Sequence, residues 1–259
     1  MNTHPPLPAP HPALEACVVV PARDEEKRIA ACLGALANQE GVAPEAWEVL
    51  LVLDHCRDAT RDAALTVCAA NPLLTLHLLA GPGRGSGGAR ATGMDAACAR
   101  LLGLGRPRGL IASTDADTWA DPSWLSRQLE LSRAGARAIG GRIELCPVER
   151  RDLPPAVLDG HAARSQRRFR RVLAQATHAH SVTDHWQFSG ASMSVTAETY
   201  AEVGGLGDGT HSEDEHLERA LIARSVPIER HLDVRVTTSA RMTGRASHGL
   251  ARVLRELSA

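Results

Sequence analysis

The expected fold is α/β: a Rossmann-like, mostly parallel sheet flanked by helices, followed by a smaller mixed half. Three observations in the sequence predict it. Apolar runs of strand length alternate with segments of helical spacing over the first 135 residues, the signature of repeated βα units. These runs end in turn formers and carboxylates, at the edge where open α/β sheets build their sites. Beyond residue 135 the alternation becomes irregular, so a half of less regular order follows. Residues 1–13 read as a disordered tail and 14–259 as a single domain, with halves at 14–135 and 136–259.

Each element has its own warrant. Residues 16–21 form a buried strand, and 25–38 carry helical spacing through Ile29, Cys32, Leu33 and Leu36. Strands at 47–53, 73–79 and 109–114 alternate with helices at 58–70, 87–102 and 122–134. A strand at 136–145 then leads into an arginine-rich helix at 155–176, a polar stretch to Trp186, a strand at 188–195 and a short helix at 197–203. The next helix starts near Ser212, where Ser212-Glu213-Asp214-Glu215 fits a capping box. No internal repeat is evident.

Composition bounds the function. With 259 residues, 44% hydrophobic and 23% charged, the chain can bury a sizeable core. A net charge of −1 gives no electrostatic reason to expect nucleic-acid binding. The six cysteines contain no C-x-x-C pair, which argues against a zinc knuckle or a disulfide framework and for reduced thiols. The proline-rich start lacks a basic n-region and an apolar core, and no apolar stretch reaches the roughly 18 to 20 residues of a membrane span. A soluble, cytoplasmic protein is the expectation.

Four strand ends carry candidate chemistry, all at one edge of a parallel sheet. The first ends in Pro21-Ala22-Arg23-Asp24-Glu25-Glu26, the second in Leu53-Asp54-His55, and the fourth in Thr114-Asp115-Ala116-Asp117-Thr118. Residues two apart on a strand share a side, so Asp115 and Asp117 can converge on one hard cation. The third opens into Gly83-x-Gly85-x-x-Gly88, which matches a dinucleotide fingerprint but follows the third strand instead of the first. A helix N-terminus at Gly87 can receive a phosphate or ribose, with Arg84 or Arg90 adding charge; the alternative is a loop whose glycines permit tight turning.

These motifs, with Phe188-Ser189-Gly190-Ala191, Val203-Gly204-Gly205-Leu206 and Glu213-Asp214-Glu215-His216-Leu217, stand in an order and spacing that resemble family 2 glycosyltransferases over roughly residues 16 to 225. The resemblance implies the GT-A fold and a nucleoside diphosphate sugar as donor. It assigns Asp54 to the ring N–H of the base, and Pro21, Ala22, Arg23 and Glu25 to the nucleoside pocket. Asp115, Ala116 and Asp117 fall to the donor diphosphate and its Mn²⁺ or Mg²⁺. Asp214, beside Glu213, becomes the base that deprotonates the acceptor in an inverting transfer. The helix-dipole and capping role of the same acids is the local alternative.

Past Asp214 the likeness thins. The Gln-x-x-Arg-Trp box of processive synthases is absent, which argues for transfer of a single sugar. His248 is a candidate further metal ligand, and Arg241 and Arg245 are candidate diphosphate contacts. The acceptor, a small molecule or a glycan- or lipid-linked group, stays open. Arg164, Arg167, Arg168, Arg170 and Arg171 could meet an anionic acceptor or an anionic membrane surface, or form a solvated face. His178, His180, Asp184, His185, Trp186 and Gln187 suggest polar acceptor contacts, with Trp186 either stacking on a sugar or filling the core. A sugar nucleotidyltransferase, a retaining GT-A enzyme and a sugar-nucleotide-binding scaffold are the alternatives.

Overall fold

A computed structural model describes residues 7–175, 182–207, 213–244 and 249–258. Strands β1 (Ala16–Ala22), β2 (Trp47–Leu53), β3 (Leu76–Ala80) and β4 (Leu110–Ser113) alternate with helices α1 (Ile29–Ala37), α2 (Thr60–Ala70) and α3 (Gly85–Gly103). Then come β5 (Thr118–Ala120), α4 (Trp124–Ala134), β6 (Ala138–Leu145), α5 (Pro147–Arg150) and α6 (Pro155–Gln175). The chain closes with β7 (Met193–Thr196), α7 (Ala197–Glu202), α8 (Glu213–Ala223), β8 (Ile228–Thr238) and α9 (Leu250–Glu256).

The strands form one sheet in the order β3-β2-β1-β4-β7-β6-β8-β5. The first four are parallel, so their C-terminal ends share an edge. β7 runs antiparallel to both β4 and β6, while β6 and β8 are parallel. The predicted α/β class and the mixed second half are both present.

Continuous apolar runs make β1 and β2 strands buried on both faces. Val18 and Val20 pack with α1, α2 and α4 on one side, while Cys17 and Val19 pack with α3, α7 and α8 on the other, as a period of two dictates. Glu48 is the exception in β2. Burial alone would raise its carboxyl, but hydrogen bonds from His77 and Arg100 hold it down to about 2. A smaller cluster of Leu153, Val157, Ala240 and Leu254 joins α6 to α9.

Several boundaries differ from expectation. Helix α1 begins at Ile29 because residues 25–28 form turns tied to the next loop. The strand expected at 188–195 shrinks to β7, since Ser192 N–H bonds back to Ser189 O at 2.8 Å and turns the chain. Residues 7–13, expected as part of a free tail, lie against the body: Arg100 donates to Pro8 O (2.7 Å), Arg106 donates to Pro12 O (3.2 Å), and Leu7 packs on the core. Among the described residues, no helix is long and apolar enough to cross a membrane.

Candidate active site

The loops after β1 and β2 are interlocked by carboxylates. Asp24 accepts from Arg57 N–H (2.7 Å), Asp58 from Glu26 N–H (3.0 Å), and Glu26 from Ala59 N–H (3.1 Å). Thr60 Oγ accepts Glu25 N–H at 2.7 Å. The acidic run is thereby sorted: Asp24 and Glu26 shape the loop, and the buried Glu25 turns toward the site. Pro21 and Ala22 are buried beside it, and Arg23 is exposed.

Asp54, 1% exposed, accepts Gly83 N–H at 2.6 Å and Gly85 N–H at 2.9 Å. The glycine spacing follows from this close approach. Gly83 has φ +76°, and a Cβ on it would meet the His55 ring at 2.5 Å. Helix α3 begins at Gly85, two residues before the Gly87 expected, so Gly87 is buried within its first turn. Backbone donors that an incoming phosphate could use at Gly83 and Gly85 are thus given to Asp54. Arg84 is exposed beside them.

Arg90 departs furthest from its expected place beside a phosphate. It is 3% exposed, and its nitrogens bond Asp115 (Nη2, 2.7 Å), Glu213 (Nε, 3.1 Å), and Ser113 Oγ and Gly190 O (Nη1, 2.6 and 3.1 Å). Burial works against its charge, but Asp115 and Glu213 outweigh that and keep it protonated. Gly190 has no side chain because a Cβ there would overlap the guanidinium. The Phe-Ser-Gly motif therefore makes room for a residue 100 positions away.

Asp115, Ala116 and Asp117 lie in a turn between β4 and β5, closed by Thr118 N–H on Asp115 O at 3.0 Å. A turn, not strand alternation, brings the two carboxylates together, which corrects the sequence argument. Asp117 pairs with Arg241 Nη2 at 2.8 Å, and Arg241 also grips Glu25 with both terminal nitrogens, at 2.9 and 2.5 Å. Burial, and then the charge of Asp115, push the Asp117 carboxyl up to about 6. The second oxygen of each aspartate makes no bond to a described residue.

Glu149 went unnoticed in the sequence. Its carboxylate takes Ser239 Oγ–H (2.7 Å), Ala240 N–H (2.6 Å) and Arg28 (2.7 Å), fixing the backbone that carries Arg241. Its partners lie 90, 91 and 121 residues away, so no local pattern announces it.

On α8, three successive acids have three fates. Glu213 pairs with Arg90; Glu215 pairs with Arg168 at 2.9 Å; Asp214 makes no ion pair with a described residue. Burial, and then Glu213 beside it, raise the Asp214 carboxyl to about 6. Arg168 lies 4.8 Å over the half-buried Trp186 ring, so that face already carries a cation.

The expected acceptor contacts at 185–187 are engaged internally. His185 Nδ1 accepts Gln187 N–H at 3.0 Å, and Gln187 bonds both N–H and C=O of Ile143. Burial lowers His185 to about 4, so the ring is neutral. His178, His180, Ser212, Arg245 and His248 lie outside the described residues, so the capping box and the two C-terminal ligand assignments do too. Among the described residues no three His, Cys, Asp or Glu side chains form a ready metal site.

Comparison with solved structures gives the same fold. The mannosyltransferase PcManGT from Pyrobaculum calidifontis, in complex with GDP-Man and Mn²⁺, is similar at TM-score 0.61 and 18% identity, over 95% of this chain and 63% of that one. S. aureus TarS 1–349, in complex with UDP-GlcNAc, is similar at TM-score 0.65 and 15% identity, over 95% and 66%. The chain thus spans about two thirds of the length of either. No curated protein sequence matches it. The model of glycosyl transferase family 2 matches residues 17–197, more than half the sequence and including the Asp-Ala-Asp turn and Arg90, and the chain belongs to that family.

Proposed function

We propose that the protein transfers a single sugar from a nucleoside diphosphate sugar to an acceptor hydroxyl, with inversion and with a divalent cation at the Asp115–Asp117 turn. The observation that carries this reading is Arg90, because one buried guanidinium bonded to both Asp115 and Glu213 puts the aspartate turn and the acidic pair in one site. The bound ligands of the two structural neighbours, GDP-Man with Mn²⁺ and UDP-GlcNAc, support the donor class.

The residues fit the cation. Both aspartates offer hard oxygen, and each has an oxygen free of hydrogen bonds to described residues. Bound there, a divalent ion supplies the charge that stabilises the leaving diphosphate. Arg241, held by Glu25, adds fixed positive charge for the same diphosphate. Asp214 takes the proton of the acceptor hydroxyl as its oxygen bonds to the anomeric carbon. The bond to the diphosphate breaks on the opposite face, and its electron pair leaves with the nucleotide.

Pro21, Ala22, Arg23 and Asp54 line the nucleoside side. Each Asp54 oxygen keeps a lone pair for the base N–H.

Thermal shift with UDP-, GDP- and dTDP-sugars, with and without Mn²⁺, tests the reading, since a ligand of the folded state stabilises it by mass action. The melting temperature should rise more with metal present, and Asp117→Asn should abolish the metal-dependent part. No shift with any donor, or an unchanged metal response in Asp117→Asn, would overturn the assignment.

A further inference from the structure

Four of the five N–H donors of an arginine are committed in Arg90, and its partners come from three separate segments. Ser113 and Asp115 stand at the end of β4, Gly190 precedes β7, and Glu213 opens α8. Among the described residues no other side chain pairs with both Asp115 and Glu213. The planar fork is what allows three directions at once, which an ammonium on a flexible stem does not reproduce.

Among the described residues, the first turn of α8 has one other side-chain ion pair to the body, Arg168–Glu215, whose glutamate is 49% exposed. Exposed pairs of that kind fix position weakly. The Arg90–Glu213 pair is shielded on both sides, at 3% and 11% exposure, so it is the firmer anchor.

We propose that Arg90 is a positioning residue of the transfer step: it fixes the first turn of α8 against the aspartate turn, and so sets Asp214 at a constant place relative to the donor. The inference rests on the sugar-transfer reading, in which Asp214 meets the acceptor hydroxyl. It gives Arg90 no contact with the donor. Gly190 belongs to the same device, because the missing Cβ is where the guanidinium lies.

Three variants test it: Glu213→Gln, Arg90→Lys and Arg90→Gln. Glu213→Gln leaves the Arg90–Asp115 pair intact and so isolates the α8 side. Hydrogen exchange of peptides spanning 213–221 reads the anchor without any turnover. Titration calorimetry with UDP and GDP plus Mn²⁺ reads donor-side binding. Release of nucleoside diphosphate from UDP-glucose, UDP-GlcNAc and GDP-mannose, with water as acceptor, reads the chemical step.

Glu213→Gln should speed exchange in the first turn of α8 by about tenfold or more, as local opening becomes easier. It should lower the release rate by on the order of 10²-fold through misplacement of the base, with nucleotide affinity within about threefold of the parent. Arg90→Lys should fall between parent and Arg90→Gln; if Arg90→Gln does not fold, the other two carry the comparison. Unchanged exchange in α8 for Glu213→Gln and Arg90→Lys would overturn the proposal, as would a loss of nucleotide affinity in Glu213→Gln matching the loss of rate. A parent protein that binds and cleaves none of the donors would instead remove the sugar-transfer reading, and the exchange data alone would then decide the anchor.

Discussion

The two halves of the molecule spend their charged side chains differently. In the loops after β1 and β2, Asp24 serves the backbone N–H of Arg57, Asp58 that of Glu26, and Asp54 those of Gly83 and Gly85, while Glu25, Asp115 and Asp117 of the same half meet arginines. In the second half, acids meet arginines far away in sequence: Glu213 with Arg90, Glu149 with Arg28, and, reaching back across the sheet, Arg241 with Glu25. Backbone-bound acids build a rigid platform from local chain geometry. Arginine pairs then dock the second half onto it. The position of the platform is therefore set by the βα units, while the first turn of α8 is tied to the body by long-range ion pairs.

The largest expected effect separates the platform from the docked chemistry. Asp214→Asn should keep nucleotide binding and lose transfer by roughly 10²-fold or more, because the amide cannot accept a proton. The pH dependence carries a sign. The folded carboxyl, at about 6, lies above its ordinary value, so its protonation favours the fold. Stability from this group is highest below the ordinary carboxyl range and falls as pH rises to about 6, where the buried carboxylate becomes charged. Asp214→Asn should accordingly melt higher than the parent at pH 8, and the difference should vanish by about pH 4, the range of an unperturbed aspartate. The rate of the parent should fall below about pH 6 as the base is protonated. A pH-independent melting difference would remove burial as the cause.

A smaller effect probes the docking itself. Gly190→Ala puts a methyl where the Arg90 guanidinium lies, and overpacking of this kind costs about 1–3 kcal/mol. The melting temperature should drop by several degrees, at roughly 2–4 °C per kcal/mol for a chain of this size. A chemical denaturation curve identical to the parent's would show that the hub tolerates displacement and that α8 is held by something else.

The smallest effect belongs to the rim. Arg168→Ala removes a cation from the Trp186 ring and an ion pair from the exposed Glu215, together worth about 1 kcal/mol or less. Its melting temperature should stay within about 3 °C of the parent's. A release rate as low as that of Glu213→Gln would show that the rim pair, not Arg90, locates the first turn of α8.

The local patterns carried the first half well: β1, β2, α3 and α4 lie within a few residues of where apolar periodicity puts them. They failed on β8, whose inner residues Ile228, Val234 and Val236 are interrupted by charges and by a register shift opposite Gly141 and Arg142. A bulge breaks the period of two on which strand recognition depends. The three-residue β5 is too short to show any period.

What the sequence determined by itself is the parallel βα platform and the identity of the acids at its edge, because strand burial, helix spacing and turn chemistry are encoded within a dozen neighbouring residues. Only the tertiary structure decided which acid does what. Asp24, Asp58 and Glu26 are taken by backbone donors, Glu25 and Glu213 by arginines, and Asp214 is left without a cation among the described residues. Arg90 moved from an expected phosphate contact to the centre of the site for the same reason. Its partners are 23 to 123 residues away, and only the folding of the sheet brings them within hydrogen-bond reach.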